Sequence, residues 1–499
     1  AQTNASNLVD AHKSTELDEQ TGLGLFTLYS GISDRAEPCE SLKANTVFCL
    51  GLDEKKILLS SLQAEHFRMG NPVEQESCMR GVRAAYFVNH ELELGPRESK
   101  AWQLVADVEQ SQSQAVELNR QLRDPDALSE TIALSVSEGS DNLARLMAAG
   151  DAFQATGEEN VSTHHYANVL FNILRGGIFD NQSKVSSADF SSFVEHFNKA
   201  VYHRNRKLLS ELPEVLEFYA LRATVSSQGD HQLERLCHEY LPIKFGRRHG
   251  DPSRPWNHFS IDLKNQDGEQ LLSFAGNWRD IFQNWEALTF CYPEFIENII
   301  AKFVNASTVD GYNPYRITRQ GIDWEVEEPD NPWSNIGYWG DHQISYLQKL
   351  LELSSSFHPS RLREMLRQSI FCYGNVPYRI RPFDDLLKDS KSTVTYDNTL
   401  AEKIEQRVNR IGADGKLVLN TDGTTVYQVN LLEKLLVPLL AKLGNLVIDG
   451  GIWLNTQRPE WNDANNALVG HGLSMVTLYY LRRYVCFLQE LLADETRPF

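Results

Sequence analysis

Cysteine is sparse and badly spaced for a cross-linked or zinc-bound framework. The seven cysteines (Cys39, Cys49, Cys78, Cys237, Cys291, Cys372 and Cys486) are odd in number and include no C-x-x-C pair. That excludes a disulfide scaffold and the familiar zinc motifs, and it favours a reducing, cytoplasmic setting. Long apolar runs are also missing. No stretch of about 18 apolar residues occurs, so the sequence predicts no membrane-spanning helix. Positive charge is in deficit: 48 Lys and Arg stand against 67 Asp and Glu, a formal net charge of -19. Such a chain repels polyanions, which argues against nucleic acid and anionic membranes as main partners. A local basic pocket for one small anion is compatible with that balance. The chain opens Ala1-Gln2-Thr3, with no Met and no apolar leader core. The expectation is that a leader was removed or that this is a piece of a longer polypeptide.

The 499 residues are enough for two or three domains and a sizeable core. Apolar residues at 41% and charged residues at 23% are a globular balance. Short apolar runs at 25–29, 46–50, 56–59, 84–88 and 91–94, punctuated by Gly95-Pro96, predict strands and a β-sandwich portion over residues 1–100. Residues 101–160 turn polar and rich in Ala, Gln and Leu, with helical spacing at 112–122 and 141–149, and predict a helical linker. Helical patterning continues at 166–175, 190–202 and 213–225, then near 280–304, 341–355, 359–372, 430–446 and 466–493. A hairpin is expected between 259–263 and 270–274 around Asn265-Gln266-Asp267-Gly268, and kinks or breaks at Pro293 and Pro438. Helices alternating with long loops rich in Gly, Pro, Trp and Asn predict an α/α toroid whose loops line one mouth.

Eight of the nine tryptophans fall between Trp256 and Trp461, mostly in or beside those loops. Buried indoles that find a partner for their N–H are the ordinary reading. The alternative is a set of sugar-stacking platforms, which neighbouring Asp, Asn and Arg favour for Trp278, Trp339 and Trp461. In Gly276-Asn277-Trp278-Arg279-Asp280, Asp280 suits a helix start. Alternatively Asp280 accepts sugar hydroxyls while Arg279 forks onto a phosphate. In Trp339-Gly340-Asp341-His342-Gln343, Asp341 is either an N-cap or a substrate-binding group. His342 has no companion at a metal-ligand spacing, so no metal is expected. The densest stretch is Arg458-Pro459-Glu460-Trp461-Asn462-Asp463, between Asp449-Gly450-Gly451 and an apolar helix. A glycosidic general acid needs a carboxyl raised by burial or by nearby negative charge, and Glu460 and Asp463 are close enough in sequence to supply the latter. The loop 247–257, crowded with Arg247, Arg248, Arg254 and Trp256, reads as a lid tied by ion pairs rather than as a cleft edge.

The order of these segments resembles the inverting cellobiose and β-glucan phosphorylases. Residues 91–107 look like the end of their β-sandwich. Asn277-Trp278-Arg279-Asp280 with Gln283 is similar to their Arg-Asp segment, Asp341-His342-Gln343 to an acidic helix start, and Trp461-Asn462-Asp463 to their W-N-D tripeptide. The resemblance implies a multidomain α+β chain: β-sandwich portion at 1–100, helical linker at 101–160 and an (α/α)6-barrel-type catalytic domain at 161–499. It implies Asp463 as general acid and Arg279 as phosphate-binding. Trp278, Asp280, Asp341, Arg458, Glu460, Trp461 and Asn462 then line the sugar. It further implies a β-linked gluco-oligosaccharide and inorganic phosphate as co-substrates, no other cofactor, and a homodimer. Two departures stand out. Only 36 residues follow Asp463, where the family places further phosphate-binding groups, and the helices fall short of the barrel's twelve. The expectation is an excised section of a longer enzyme or a relative lacking the phosphate site. The rival readings are an inverting hydrolase, with Asp341 or Glu286 as base, and a non-catalytic carbohydrate-binding protein.

Overall fold

A computed structural model describes residues 13–28, 43–244, 271–324, 338–339, 343–389, 394–455 and 468–493, with Asp10 and Ser392. The chain forms two compact units, Ala1–Leu143 and Ala144–Phe499.

The first unit is built on a five-stranded sheet. β1 (Lys13–Asp18) and β2 (Leu23–Leu28) form an antiparallel hairpin. Asp18 fixes its turn by accepting the Gln20 and Thr21 amides at 3.0 and 2.9 Å, and Gly22 takes φ 74°. β3 (Lys43–Leu50) pairs with β2. β4 (Lys56–Ser60) lies outside this sheet, while β5 (Cys78–Arg80) joins it beside β1. β6 (Ala84–Asn89) pairs with β4 in a separate ladder, and β7 (Gln103–Ser111) closes the main sheet against β3. The order is β5-β1-β2-β3-β7. Leu17, Ile57 and Leu59 form one small core, with Tyr86 against it. Leu23, Phe48 and Leu50 form another with Leu122 and Leu128, which flank the Ser111-capped helix α1 (Gln112–Gln121) and open α2 (Pro125–Ala149).

Two sequence expectations change here. Residues 91–94 form no strand, and Gln103–Ser111, expected in the helical linker, is the longest strand of the sheet. The reason is tertiary. β3 offers an unpaired edge, and backbone hydrogen bonds to it outweigh the weak local propensity of a polar stretch.

In the second unit, α3 (Glu159–Gly176) leads into β8 (Ile178–Phe179) and β9 (Lys184–Ser186). Helices α4 (Ser187–Phe197) and α5 (Lys199–Glu211) replace the single helix expected at 190–202. Asn198 sits between them in an extended conformation, and its side chain caps α5 by accepting the Val201 amide at 3.1 Å. β10 (Val215–Glu217) pairs with β9, and α6 (Phe218–Ser227) and α7 (His231–Glu239) follow. β11 (Ile243–Lys244) then returns to pair with β8. β12 (Ala275–Asn277) runs into α8 (Trp278–Cys291), and α9 (Ile296–Asn305) follows the break expected at Pro293. The rest alternates short ladders with α10 (Gln348–Phe357), α11 (Pro359–Met365), α12 (Asn398–Ile411), α13 (Leu431–Leu443) and α14 (Met475–Leu492). Pro438 does not split α13. One continuous core runs through this unit, with Phe179 stacked on Phe295 at 4.0 Å and Phe218 on Phe295 at 4.5 Å.

The architecture is mixed α+β with many helices and small sheets. Among the described residues the helices do not close into a barrel. Among the described residues of the second unit, six two- and three-stranded ladders interrupt the helical succession and turn the chain at their ends. The expected hairpin falls mostly outside the described residues; of it, 271–274 are placed without a regular strand.

Candidate functional site

Arg458, Glu460, Trp461, Asn462 and Asp463 lie outside the described residues, as do Asp341, His342 and the loop 247–257. The flanks of 456–467 are placed. β18 (Gly451–Trp453) pairs with β17 (Leu446–Val447) on one side and β19 (Leu473–Ser474) on the other. Trp453 Nε1 donates to the Gly470 carbonyl at 3.2 Å, and the Gly470 amide donates to the Leu454 carbonyl at 2.7 Å. The chain therefore leaves this small sheet and returns to it at nearly one place. Trp339 is on β16 (Tyr338–Trp339), paired with β13 (Tyr312–Asn313), and the turn Gln343–Leu347 leads into α10.

Arg279 and Asp280 occupy the first turn of α8; their side chains are outside what is described. Trp278 is placed, and it is core. Its exposure is 0%, and its ring packs 4.8 Å from Phe303 and 6.4 Å from Phe282. A sugar has no face of this indole to stack on in this structure. Trp285 is equally buried, with Nε1 donating to the Gly176 carbonyl at 3.2 Å. Glu286, the other candidate base, pairs with Lys349 at 3.3 Å.

The strand that delivers Arg279 and Asp280 borders a polar hollow of about 270 Å³. β12 pairs with β14 (Arg316–Thr318), which pairs with β15 (Gly321–Asp323). Gly321 at φ 129° makes the tight return possible. Arg316, Gln320, Asp323 and Lys416 line the hollow. Arg316 pairs with Asp323 across the hairpin, and Lys416 stands 3.7 Å from the same carboxylate. Lys416 also lies over the Trp324 ring, 5.1 Å from its centroid. Two cations against one carboxylate leave a net positive charge beside an aromatic plane, a lining able to hold an anion or sugar hydroxyls. Sequence reasoning missed these four residues. Their signal was the alternation Arg316-Ile317-Thr318 and Ile322-Asp323 around a glycine, a hairpin pattern too short to stand out.

Lys416 is held in place by a buried ionic cluster. It ends the short turn Ala413–Lys416, whose Asp414 is fully buried. Arg235 bridges Asp414 at 2.5 Å and Glu239 at 2.9 Å. Asn198 donates to Asp414 at 2.8 Å, Asn305 donates to Glu239 at 2.8 Å, and Lys302 lies 3.9 Å from Glu239. Complete burial pushes the Asp414 carboxyl up, against the pull of Arg235. Two cations balance two carboxylates, and every member is buried. The arrangement binds helices together, and the cavity that Glu239, Lys302 and Asn305 line is only about 20 Å³. Among the described residues no three His, Cys, Asp or Glu side chains converge as metal ligands. None of the described helices is long and apolar enough to cross a membrane.

Residues 179–242 match the model of glycoside hydrolase family 149 insertion domain 1. The match supports a carbohydrate-active protein. No curated protein matches the chain. The matched ends coincide with a structural boundary: Phe179 pairs with Ile243 in the β8–β11 ladder, and the Asp180 amide donates to the Pro242 carbonyl at 2.8 Å. A segment whose ends meet can be accommodated in a host fold with little displacement of the flanking chain.

Proposed function

We propose that this protein takes part in inverting phosphorolysis of a β-linked gluco-oligosaccharide. The observation that carries the reading is the insertion-domain match at 179–242, in a glycoside hydrolase family that includes β-1,3-glucan phosphorylases. The W-N-D tripeptide at 461–463 supports it from the sequence side. In this reading the Asp463 carboxyl gives its proton to the glycosidic oxygen. A phosphate oxygen bonds to the anomeric carbon from the opposite face as the C–O bond to the leaving sugar breaks. The products are a sugar 1-phosphate of inverted configuration and a shortened oligosaccharide. Phosphate takes the place of the water that an inverting hydrolase would activate with a second carboxylate, so one carboxyl group suffices.

Arg279 holds the phosphate, with the net positive hollow of Arg316, on the adjoining hairpin, and Lys416, on the turn Ala413–Lys416, as electrostatic support. Asp280, Asp341, Arg458, Glu460, Trp461 and Asn462 grip the sugar. Trp278 serves this site by fixing the start of α8 rather than by touching sugar. The (α/α)6-type scaffold, the homodimer and the cytoplasmic location belong to the same reading. Incubation with β-linked gluco-oligosaccharides, with and without inorganic phosphate, tests it. Sugar 1-phosphate that appears only with phosphate and is lost in Asp463→Asn supports it. Free sugar released without phosphate moves the assignment to the inverting hydrolase. Sugar binding without turnover moves it to a non-catalytic carbohydrate-binding protein.

A further inference from the structure

A second cavity, of about 300 Å³, opens between α6, α7 and α11, within the second unit and largely inside the matched segment. Its charge balance is unusual. Glu297 on α9 is wholly buried behind it and fully engaged: it accepts from Arg361 at 2.6 Å, Ser354 at 2.7 Å and His358 at 3.0 Å. Glu234 is engaged by the Ser226 hydroxyl at 2.6 Å and by His231 at 3.5 Å. Arg222, on α6, has no carboxylate within ion-pair distance among the described residues, and its buried Nη1 has no hydrogen-bond partner there. Its guanidinium carbon lies over Phe218, 5.9 Å from the ring centroid. Beside it, His238 is only 5% exposed, lines the same cavity, and leaves Nδ1 unpartnered. Burial, and then the neighbouring Arg361, lower the Arg222 pKa, against the pull of Glu297 and Glu234, neither of which pairs with it directly.

Two residues that line one cavity each leave a buried nitrogen unpartnered, and one of them is a cation with no ion-pair partner among the described residues, which describes a site able to take an anion. We propose that this cavity binds a small oxyanion, phosphate or carboxylate, with the Arg222 guanidinium forked onto its oxygens and His238 Nδ1 contributing a hydrogen bond. The planar guanidinium suits both groups, since each presents two oxygens at matching separation. Glu364, exposed at the mouth, disfavours large polyanions and sets the preference for a singly or doubly charged ligand. The inference does not depend on the phosphorolysis reading.

Calorimetric titration of the whole protein with inorganic phosphate, and separately with acetate, tests the inference. The Arg279→Gln variant removes any contribution from the proposed catalytic phosphate. The expected result is binding that persists in Arg279→Gln and falls at least tenfold in Arg222→Gln, with Arg222→Lys between them. Saturation by acetate as well as by phosphate marks a general carboxylate-and-phosphate site; saturation by phosphate alone marks a phosphoryl site. Arg222→Gln removes an unpaired charge, so its fold should survive, and far-ultraviolet circular dichroism checks that. Glu364→Gln should tighten binding severalfold by removing a competing carboxylate. Equal titration of wild type and Arg222→Gln overturns the proposal, and so does an absence of binding in both wild type and Glu364→Gln, which would mean that Arg222 is neutralised from within the chain.

Discussion

Acidification from pH 7.5 to 5 should cost this protein about 2 kcal/mol through one residue, His238. Burial, followed by the charge of Arg222, drives its pKa from an ordinary 6.5 down to about 3, while Glu297 pulls weakly the other way. The charged groups acting on it are Arg222 on α6, Glu297 on α9 and Arg361 on α11, and Glu234 and Glu364 line the same cavity. A base whose folded pKa is depressed stays neutral in the native state while the unfolded chain takes up a proton. Stability is therefore full above about pH 6.5 and falls as pH drops toward 3. At pH 5 the unfolded state gains about 1.5 pKa units of protonation, at 1.36 kcal/mol per unit, which gives roughly 2 kcal/mol. Because pH 5 lies well above the folded value, the figure hardly depends on where that value falls. For a unit of this size the shift in Tm is roughly 3–4 °C. The assay is thermal unfolding of wild type and His238→Gln across pH 5 to 7.5 in a buffer free of phosphate and carboxylate. The variant should lack this share of the pH dependence. Parallel curves for the two proteins would refute a buried, neutral His238.

Asp414→Ala leaves Arg235 buried with Glu239 alone and should destabilise the second unit by about 3–5 kcal/mol, measured by chemical unfolding. Trp278→Ala should cost about 3–5 kcal/mol as a core truncation, read from the same unfolding curves; a loss of sugar affinity with unchanged stability would instead restore its reading as a stacking platform. Gly412→Ala should destabilise by roughly 2–4 kcal/mol, because φ is 108° and a Cβ would meet the His196 and Phe197 carbonyl oxygens at 2.5 and 2.7 Å. Thermal unfolding reads that loss directly.

How far the sequence was legible depended on how local each signal was. The short apolar runs at 46–50 and 56–59 became β3 and β4, and the spacing at 112–122 became α1, because burial of one face repeats along each element. Gln103–Ser111 was misread because its strand character comes from pairing with β3, which no local pattern records. The split at Asn198 had a local sign, a capping residue inside an apolar pattern, but it needed the Asp414 contact to become decisive. Trp278 shows why aromatic clustering is ambiguous: an indole near Asn, Arg and Asp can still face inward onto Phe282 and Phe303. The hollow around Arg316, Asp323 and Lys416 was invisible for a different reason. Its residues are distant in sequence, and only the β12–β14–β15 hairpin and the anchored turn at Asp414 bring them together. Likewise, Arg222 lay within the helical pattern expected at 213–225 and His238 in a stretch without a local signal, and only the structure places them on one cavity.

The central claim is phosphate-dependent cleavage with Asp463 as the proton donor. The most direct measurement is release of sugar 1-phosphate from β-linked gluco-oligosaccharides by the wild type and by Asp463→Asn, at fixed enzyme and varied phosphate. The account predicts turnover that rises with phosphate and saturates, with loss of general-acid catalysis lowering it by about 10²–10⁴-fold in the variant. Cleavage that is indifferent to phosphate, or a variant as active as the wild type, would contradict it.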